Sequence, residues 1–413
     1  MTSRQTTPIP TSVLKTGYMT EHMSKVVAHN IAADILGRRN VSLERIYLDY
    51  NASSPIAPEV VDAMKPFLTD YYGNPSTNHW AGKPAKEAYE RAKLQVAALL
   101  DCNLDEMIFT SGGSESNNHA LKGVFFALRE QGNHIITTQI EHPAILNPCK
   151  FLEKLGAEVT YLGVDQYGQV SPADIEQAIT DKTILISVMH ANNEVGTIQP
   201  IAEISRIAKK YNILVHTDAA QSVGKISTRV DDLGVDLLSV AGHKLYAPKG
   251  IGALYIRRGT LIEPFIHGAG HEGGRRAGTE NIILAVGLGK ACELALASLP
   301  DTKIRELRDY FWRELKSYFG DHIVLNGHLE DRLPNTLNVS FIGEVGQDIL
   351  AKIPGLAAST GSACHTGTVE LSPVLKVMKL DERIGKGTIR FSLGRYTTKE
   401  EIDLALQWLK EAV

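Results

Sequence analysis

Ser239-Val240-Ala241-Gly242-His243-Lys244 sets a lysine, with a histidine beside it, where the apolar run of Val235, Leu237, Leu238 and Val240 stops. A lysine is costly at the inner end of a buried strand, because its amine must leave water. A covalent use accounts for the cost: an amine held there condenses with an aldehyde to a Schiff base. Upstream, Leu214-Val215-His216-Thr217-Asp218-Ala219-Ala220-Gln221 ends a second apolar run in an acid. An aldehyde carried on a pyridine ring needs such an acid, since an anion beside the ring nitrogen raises its pKa and keeps it protonated. A solvated lysine past a strand is commonplace. A lysine and an acid at two strand ends together point to pyridoxal 5'-phosphate.

Outward from this pair, the chain from Met107 to Ile256 alternates short apolar runs with amphipathic stretches. Strands are expected at 107–110, 134–138, 158–162, 183–189, 213–217, 237–240 and 253–256, with helices such as 118–129 and 201–210 between them. Short apolar strands alternating with helices imply an α/β fold, a mostly parallel sheet covered on both faces. In such sheets ligands gather at the carboxyl ends of the strands. Ser114, His142, Asn193, Asp218 and Lys244 each follow one of these strands, so five polar groups far apart in the chain are expected on one rim. From about Leu299 the texture changes. A charged helical stretch at 302–319, short strands near 337–341 and 389–392 and a last helix at 399–413 read as a smaller α+β domain.

The chain has 413 residues, enough for more than one domain. Lys plus Arg is 43 and Asp plus Glu is 47, a net charge of −4, which gives no support to a nucleic-acid or membrane-surface protein. Cys102, Cys149, Cys292 and Cys364 are scattered without a CxxC pair, so neither a disulfide framework nor a zinc site is expected and a reducing, cytoplasmic setting is the default. Met1 to Gly17 carries Arg4 and Lys15 with no acid, a faint transit-peptide pattern that would imply organellar import, but Glu21 and Asp34 break it. Met1 to Arg39 is read as a poorly ordered or loosely helical extension, with Met19 or Met23 as the true start being the rival.

Gly112-Gly113-Ser114-Glu115-Ser116 opens a helix after a strand, where free N–H groups and a hydroxyl suit a phosphate. Capping by Ser114 is the plain explanation; beside the lysine, a phosphate site explains more. A dinucleotide reading fails because GxGxxG is absent. His142 can stack on a cofactor ring and shuttle protons. Asp218 suits the ring nitrogen, and Gln221 and Asn193 its hydroxyl; capping and turn roles are the plain explanations. Cys364 follows Gly361 and Ser362 and precedes a run to Leu371 read as a long polar loop, where an exposed thiol becomes a thiolate nucleophile. Arg390 and Arg395 lie in Arg-Phe-Ser-Leu-Gly-Arg, and an arginine fork suits an amino-acid carboxylate.

Taken in order, Phe109–Asn118, Glu141-His142, Asn192–Gly196, Gly242-His243-Lys244, Gly278-Thr279-Glu280-Asn281, Gly361-Ser362-Ala363-Cys364-His365 and Arg390–Arg395 resemble the cysteine desulfurases and their relatives the selenocysteine lyases. These are pyridoxal-phosphate enzymes of fold type I in the class V aminotransferase group. The resemblance runs from about Tyr47 to the C-terminus. It implies residues 1–45 as an extension, 54–298 as the large cofactor domain, and 46–53 with 299–413 as the small α+β domain carrying the cysteine loop. It implies Lys244, Cys364 and His142 as catalytic. Gly113, Ser114, His142, Asn193, Asp218, Gln221, Ala241, His243 and Lys244 would hold the cofactor, Thr279 would reach the phosphate of the other subunit of a homodimer, and Arg390 with Asn51 would bind the substrate carboxylate.

No metal is expected beyond Cys364 as a transient iron–sulfur ligand. The family commonly has serine at position 241, so one phosphate contact is lost or comes from backbone N–H. The reaction implied is removal of sulfur from L-cysteine, giving L-alanine and a persulfide on Cys364 for a sulfur-acceptor protein such as an iron–sulfur scaffold. Selenocysteine lyase, favoured by Gly242-His243-Lys244 and Cys364-His365, is the near rival. Another class V aminotransferase-type enzyme is further off, and a non-catalytic sulfur relay is opposed by Lys244, Asp218 and His142.

Overall fold

The alternation of apolar strands with amphipathic helices builds a single seven-stranded sheet. The structure, a computed structural model, describes residues 44–360, 362–365 and 368–413; for 362–365, 368 and 369 it describes the backbone alone. The extension read at Met1 to Arg39 lies outside the described residues. In chain order the first strands are β1 (Ile46–Tyr47), β2 (Met107–Thr110), β3 (His134–Thr138), β4 (Glu158–Leu162), β5 (Thr183–Ser187), β6 (Leu214–Asp218), β7 (Leu237–Ala241) and β8 (Gly252–Ile256). The large sheet has the order β2-β8-β7-β6-β5-β3-β4, and every pairing is parallel except the two made by β8.

Strands β2, β3, β5, β7 and β8 are buried along their whole length, as expected of a sheet with helices on both faces. One face packs on the helices Gly82–Leu100 and Ile282–Ser298 through Val96, Leu100, Leu288 and Ala291. The other packs on Gly113–Leu128 and Pro143–Glu153 through Leu121, Val124, Ile145 and Leu152. Each buried aliphatic side chain contributes about 1.5–3 kcal/mol. Ile282–Ser298 is the most apolar of these helices because it lies inside this core. Among the described residues no single helix is long and apolar enough to cross a membrane.

Two boundaries differ from the sequence reading by more than one residue, for local reasons. The strand expected to reach Met189 ends at Ser187, because the Met189 N–H donates to Glu141 Oε1 at 2.9 Å. The helix expected from 118 begins at Gly113, since its polar first turn carries no apolar periodicity. Its start is crowded. A Cβ on Gly252 would fall 2.4 Å from the Val240 carbonyl and 2.7 Å from Gly112 Cα, so only glycine lets β8 pass beneath the Gly112 loop.

The C-terminal strands are β9 (Ile323–Asn326), β10 (Thr336–Phe341), β11 (Leu356–Ala357), β12 (Ser359–Thr360), β13 (Ser362–His365), β14 (Thr368–Leu371) and β15 (Thr388–Ser392). Strands β12-β15-β10-β9 form an antiparallel sheet covered by helices Thr302–Phe319 and Lys399–Ala412. Ile46 and Leu48 join that core, and β1 pairs with β11. The segment read as a long loop around Cys364 is instead an antiparallel hairpin, β13 against β14, with Cys364 opposite Val369. The composition misled because Ser, Gly and Thr are turn formers, while the register here is set by backbone pairing.

Candidate active site

The carboxyl ends of the parallel strands and the first turn of helix Gly113–Leu128 enclose a cleft of about 330 Å³. Gly113, Ser114, His142, Asn193, Asp218, Gln221, Ala241, His243 and Lys244 line it, and Asn51 and Arg390 close it from the second core. Ser114 is not the helix cap. Gly112 takes that place at φ 147°, without a side-chain cap bond, so Ser114 is exposed at the second helical position. The amides of the first turn are left without intrahelical acceptors and form an anion site. A Cβ on Gly113 would stand 3.2 Å from the Ala241 Cβ, so two small residues shape this end of the cleft.

Asp218, buried at the end of β6, accepts from the Ala220 N–H at 2.9 Å and from Asn117 Nδ2 at 2.7 Å. The turn role and the site role of Asp218 therefore coexist. Lys244 ends a 3-10 turn after β7, and its amine has no hydrogen-bond partner among the described residues. Burial lowers its pKa and Arg390 adds to this, while Asp218 and Asp49 act against it. A lowered pKa supplies the free amine that nucleophilic attack requires. His142 caps helix Pro143–Glu153, its Nδ1 accepting from the Ala144 N–H at 3.1 Å. Burial and Lys244 hold its imidazole below the usual range against the pull of Asp218, so the neutral ring faces the cleft with Nε2 unused by the cap. His243 touches Ser53 Oγ at 3.3 Å, and burial and Lys244 lower its pKa too.

Across the cleft, the buried Arg390 donates to the Asn193 carbonyl at 2.9 Å, to Asp49 Oδ1 at 2.6 Å and to Ser359 Oγ at 3.0 Å. Its Nε is buried without a partner among the described residues. Such an orphan donor is costly unless a ligand satisfies it. Asn51 is placed differently from the sequence expectation of a carboxylate contact. Its amide donates to Thr336 Oγ1 and the Asn193 carbonyl and accepts from Asn335 and Lys225, so its side chain ties the two cores together. Gln221 donates to the Asn51 carbonyl at 3.0 Å, which leaves one amide hydrogen for the cleft.

Thr279 is not in this cleft. It is exposed in a separate depression of about 210 Å³ with Tyr89, Ser111 and Arg276. The Cys364 side chain lies outside the described residues, but its place in the chain is bounded. Ser359, bonded to Arg390 and Asp49, is five residues away, a span of at most about 17 Å. At the other end of the hairpin Ser372 faces Glu194, next to Asn193. Sequence reasoning missed Asn117, Asp49 and Lys225. Asn117 had one usable signal: it lies one helical turn after Ser114, on the same face.

The aminotransferase class-V family model matches residues 46–405. The chain therefore belongs to the class-V aminotransferases, whose fold is that of the type I pyridoxal-phosphate enzymes, and within them to the cysteine desulfurases. It is 51% identical over 372 residues to the cysteine desulfurase IscS of Dictyoglomus turgidum, covering 89% of this chain and 94% of that one. It is 47% identical over 380 residues to the cysteine desulfurase IscS of Methanosarcina thermophila, covering 91% and 94%. Among solved structures it resembles a NifS-like protein at TM-score 0.83 and 39% identity, covering 89% of this chain and 98% of that one. It also resembles SspA in complex with cysteine, at TM-score 0.75 and 39% identity, covering 86% and 100%. The family's enzymes depend on pyridoxal phosphate.

Proposed function

We propose that this chain holds pyridoxal 5'-phosphate on Lys244 and transfers the sulfur of L-cysteine to Cys364, releasing L-alanine. The observation that carries the reading is the cleft itself: an unpartnered lysine amine, a buried carboxylate and a helix N-terminus converge there across the sheet. These groups fit the cofactor. The amides at Gly113 and Ser114 suit its phosphate, Asp218 suits the pyridinium, and the Arg390 guanidinium lining the cleft suits a substrate carboxylate. Bound there, pyridoxal phosphate supplies an electron sink for the pair left when a bond at the substrate Cα breaks.

With substrate bound, the Lys244 amine would be the base that removes the proton at Cα. The neutral His142 ring lines the cleft where the cofactor ring would lie and could carry a proton at Nε2. The Cys364 thiolate attacks the substrate sulfur. The S–S bond forms as the Cβ–S bond breaks and the electron pair stays on carbon; one proton completes the methyl group, and the proton taken up by Lys244 returns to Cα, giving alanine. The persulfide passes to an acceptor protein, for which an iron–sulfur scaffold is the natural class. Exposure of Thr279 outside its own cleft supports a homodimer in which it serves the partner's phosphate. Cys364→Ser tests the assignment. The variant should keep the cofactor and bind cysteine but make no persulfide, because a hydroxyl is a far weaker nucleophile. An extra sulfur found by mass spectrometry on Cys102, Cys149 or Cys292, with activity retained, would refute it.

A further inference from the structure

Lys244 stands on a turn that the sheet alone does not fix. The 3-10 turn Gly242–Lys244 leaves β7, and the N–H groups of Leu245 and Ala247 both donate to the Gly242 carbonyl, at 2.8 and 3.2 Å. Between them, Tyr246 turns into the left-handed region at φ 62°. A bulky side chain is strained there and stays only where its surroundings hold it. The Tyr246 N–H has no acceptor within the turn and donates to Ser54 Oγ at 2.8 Å. The same hydroxyl donates to the His243 carbonyl at 2.9 Å, so it bridges the residues on either side of Lys244 and Leu245. Ser54 is buried, and Pro55 after it restricts its backbone. The Tyr246 carbonyl and phenol oxygen accept from the Ala57 and Arg395 N–H groups, at 3.0 and 2.6 Å. Those bonds hold the far side of Tyr246. The plane of the peptide joining it to Leu245 is fixed by the Ser54 hydroxyl.

We propose that Ser54 is a positioning residue for Lys244, its hydroxyl fixing the turn from which the amine reaches the cofactor aldehyde and the substrate Cα. This rests on the cofactor reading above. Without the hydroxyl, the His243 carbonyl keeps the Ser54 N–H at 2.9 Å, but the Tyr246 N–H is left without an acceptor among the described residues. The unpaired N–H and the strained φ favour the same escape, rotation of the Leu245–Tyr246 peptide, and Lys244 lies one residue away. The substrate carboxylate is held independently, because Arg390 bonds to Asn193, Asp49 and Ser359 and none of these bonds to Ser54. Ser54 therefore acts on the proton step and the cofactor, and not on substrate binding.

Exchange of the Cα hydrogen of L-alanine, the product, in heavy water reads the proton step of the cofactor-loaded protein without sulfur chemistry, because the base takes a proton and returns a deuteron. In Ser54→Ala the exchange rate per loaded site, followed by proton NMR, should fall about tenfold, the worth of one lost hydrogen bond, with the half-saturating alanine concentration little changed. Ser54→Thr, which keeps the hydroxyl, should stay near the wild-type rate. In the cofactor-free protein, mass spectrometry should find the amide hydrogens of residues 242–247 exchanging about tenfold faster in Ser54→Ala. Unchanged alanine exchange per loaded site in Ser54→Ala overturns the proposal, as do an equal loss in Ser54→Thr, a change confined to half-saturation, or unchanged amide exchange. If Ser54→Ala does not fold, Ser54→Cys, whose thiol is a weak acceptor, should move both readouts in the same direction, and no movement there overturns the proposal equally. A wild-type protein that takes up no cofactor would instead overturn the cofactor reading.

Discussion

Glu141, the residue before His142, offers the sharpest quantitative test of the site's electrostatics. Its Oε1 accepts from the Met189 N–H at 2.9 Å and from Thr138 Oγ1 at 2.8 Å, while its Oε2 is buried without a partner among the described residues. Burial raises its pKa from 4.5 to about 8, with Asp218 adding to this against the two donors. One unit is worth about 1.4 kcal/mol, so the full shift corresponds to about 5 kcal/mol. Because the folded value is raised, the stability from the neutral acid is fully present below pH 4.5 and is lost as pH rises to about 8. Between pH 6 and 8 the loss should be about 2 kcal/mol, because at pH 8 the folded carboxyl is only half ionised.

Glu141→Gln keeps the carbonyl that Met189 and Thr138 require and removes the ionisation. Urea unfolding of both proteins, at equal concentration and saturating cofactor, should therefore show the variant gaining on the wild type by about that amount from pH 6 to 8. Groups that do not interact with Glu141 cancel in the difference. A difference that stays flat, or falls, over this range would refute the neutral buried acid.

Two further substitutions separate charge from shape. Asp218→Asn should fold normally, since the unpartnered Asn117 Oδ1 can turn to accept from the new amide, yet bind cofactor about a hundredfold more weakly by equilibrium dialysis; unchanged affinity would remove Asp218 from the ring nitrogen. Arg390→Lys keeps the positive charge but cannot reproduce the three bonds to Asn193, Asp49 and Ser359, so the KM for cysteine should rise about thirtyfold with a smaller change in kcat; an unchanged KM would make Arg390 purely structural.

Much of this architecture was legible before any coordinates, and the reason is periodicity. Runs such as His134–Thr138 and Leu237–Ala241 are buried throughout because helices cover both faces of the sheet, and a polar residue just past such a run has one place to go, the rim. That logic placed Asp218, Lys244, His142 and Ser114 correctly around one cleft. It failed at the hairpin. Strands β13 and β14 make their own two-stranded sheet, with no apolar alternation to announce it, so Ser362–Leu371 read as loop.

The residues that sequence reasoning missed share a physical reason. Asn117 and Asp218 are 101 residues apart, and Arg390 and Asp49 are 341 apart, so neither partner's local pattern names the other. Each missed residue also has a sufficient local explanation. Asn117 reads as the polar side of a first helical turn, Asp49 as the end of a short strand, and Lys225 as a solvated turn lysine. What distinguishes them is burial beside an ion or an amide, and burial is a property of the whole fold. The first layer of this site is legible because strand ends expose it. The second layer holds Asp218, Arg390 and Gln221 in their working orientations, and it becomes visible only when the two cores are brought together at Asn51, whose side chain bonds to Thr336 and Asn335 on one side and to Lys225 on the other. A substitution at Asn51 should therefore disturb cofactor and carboxylate binding together, although in this structure its own donors are already used within the protein.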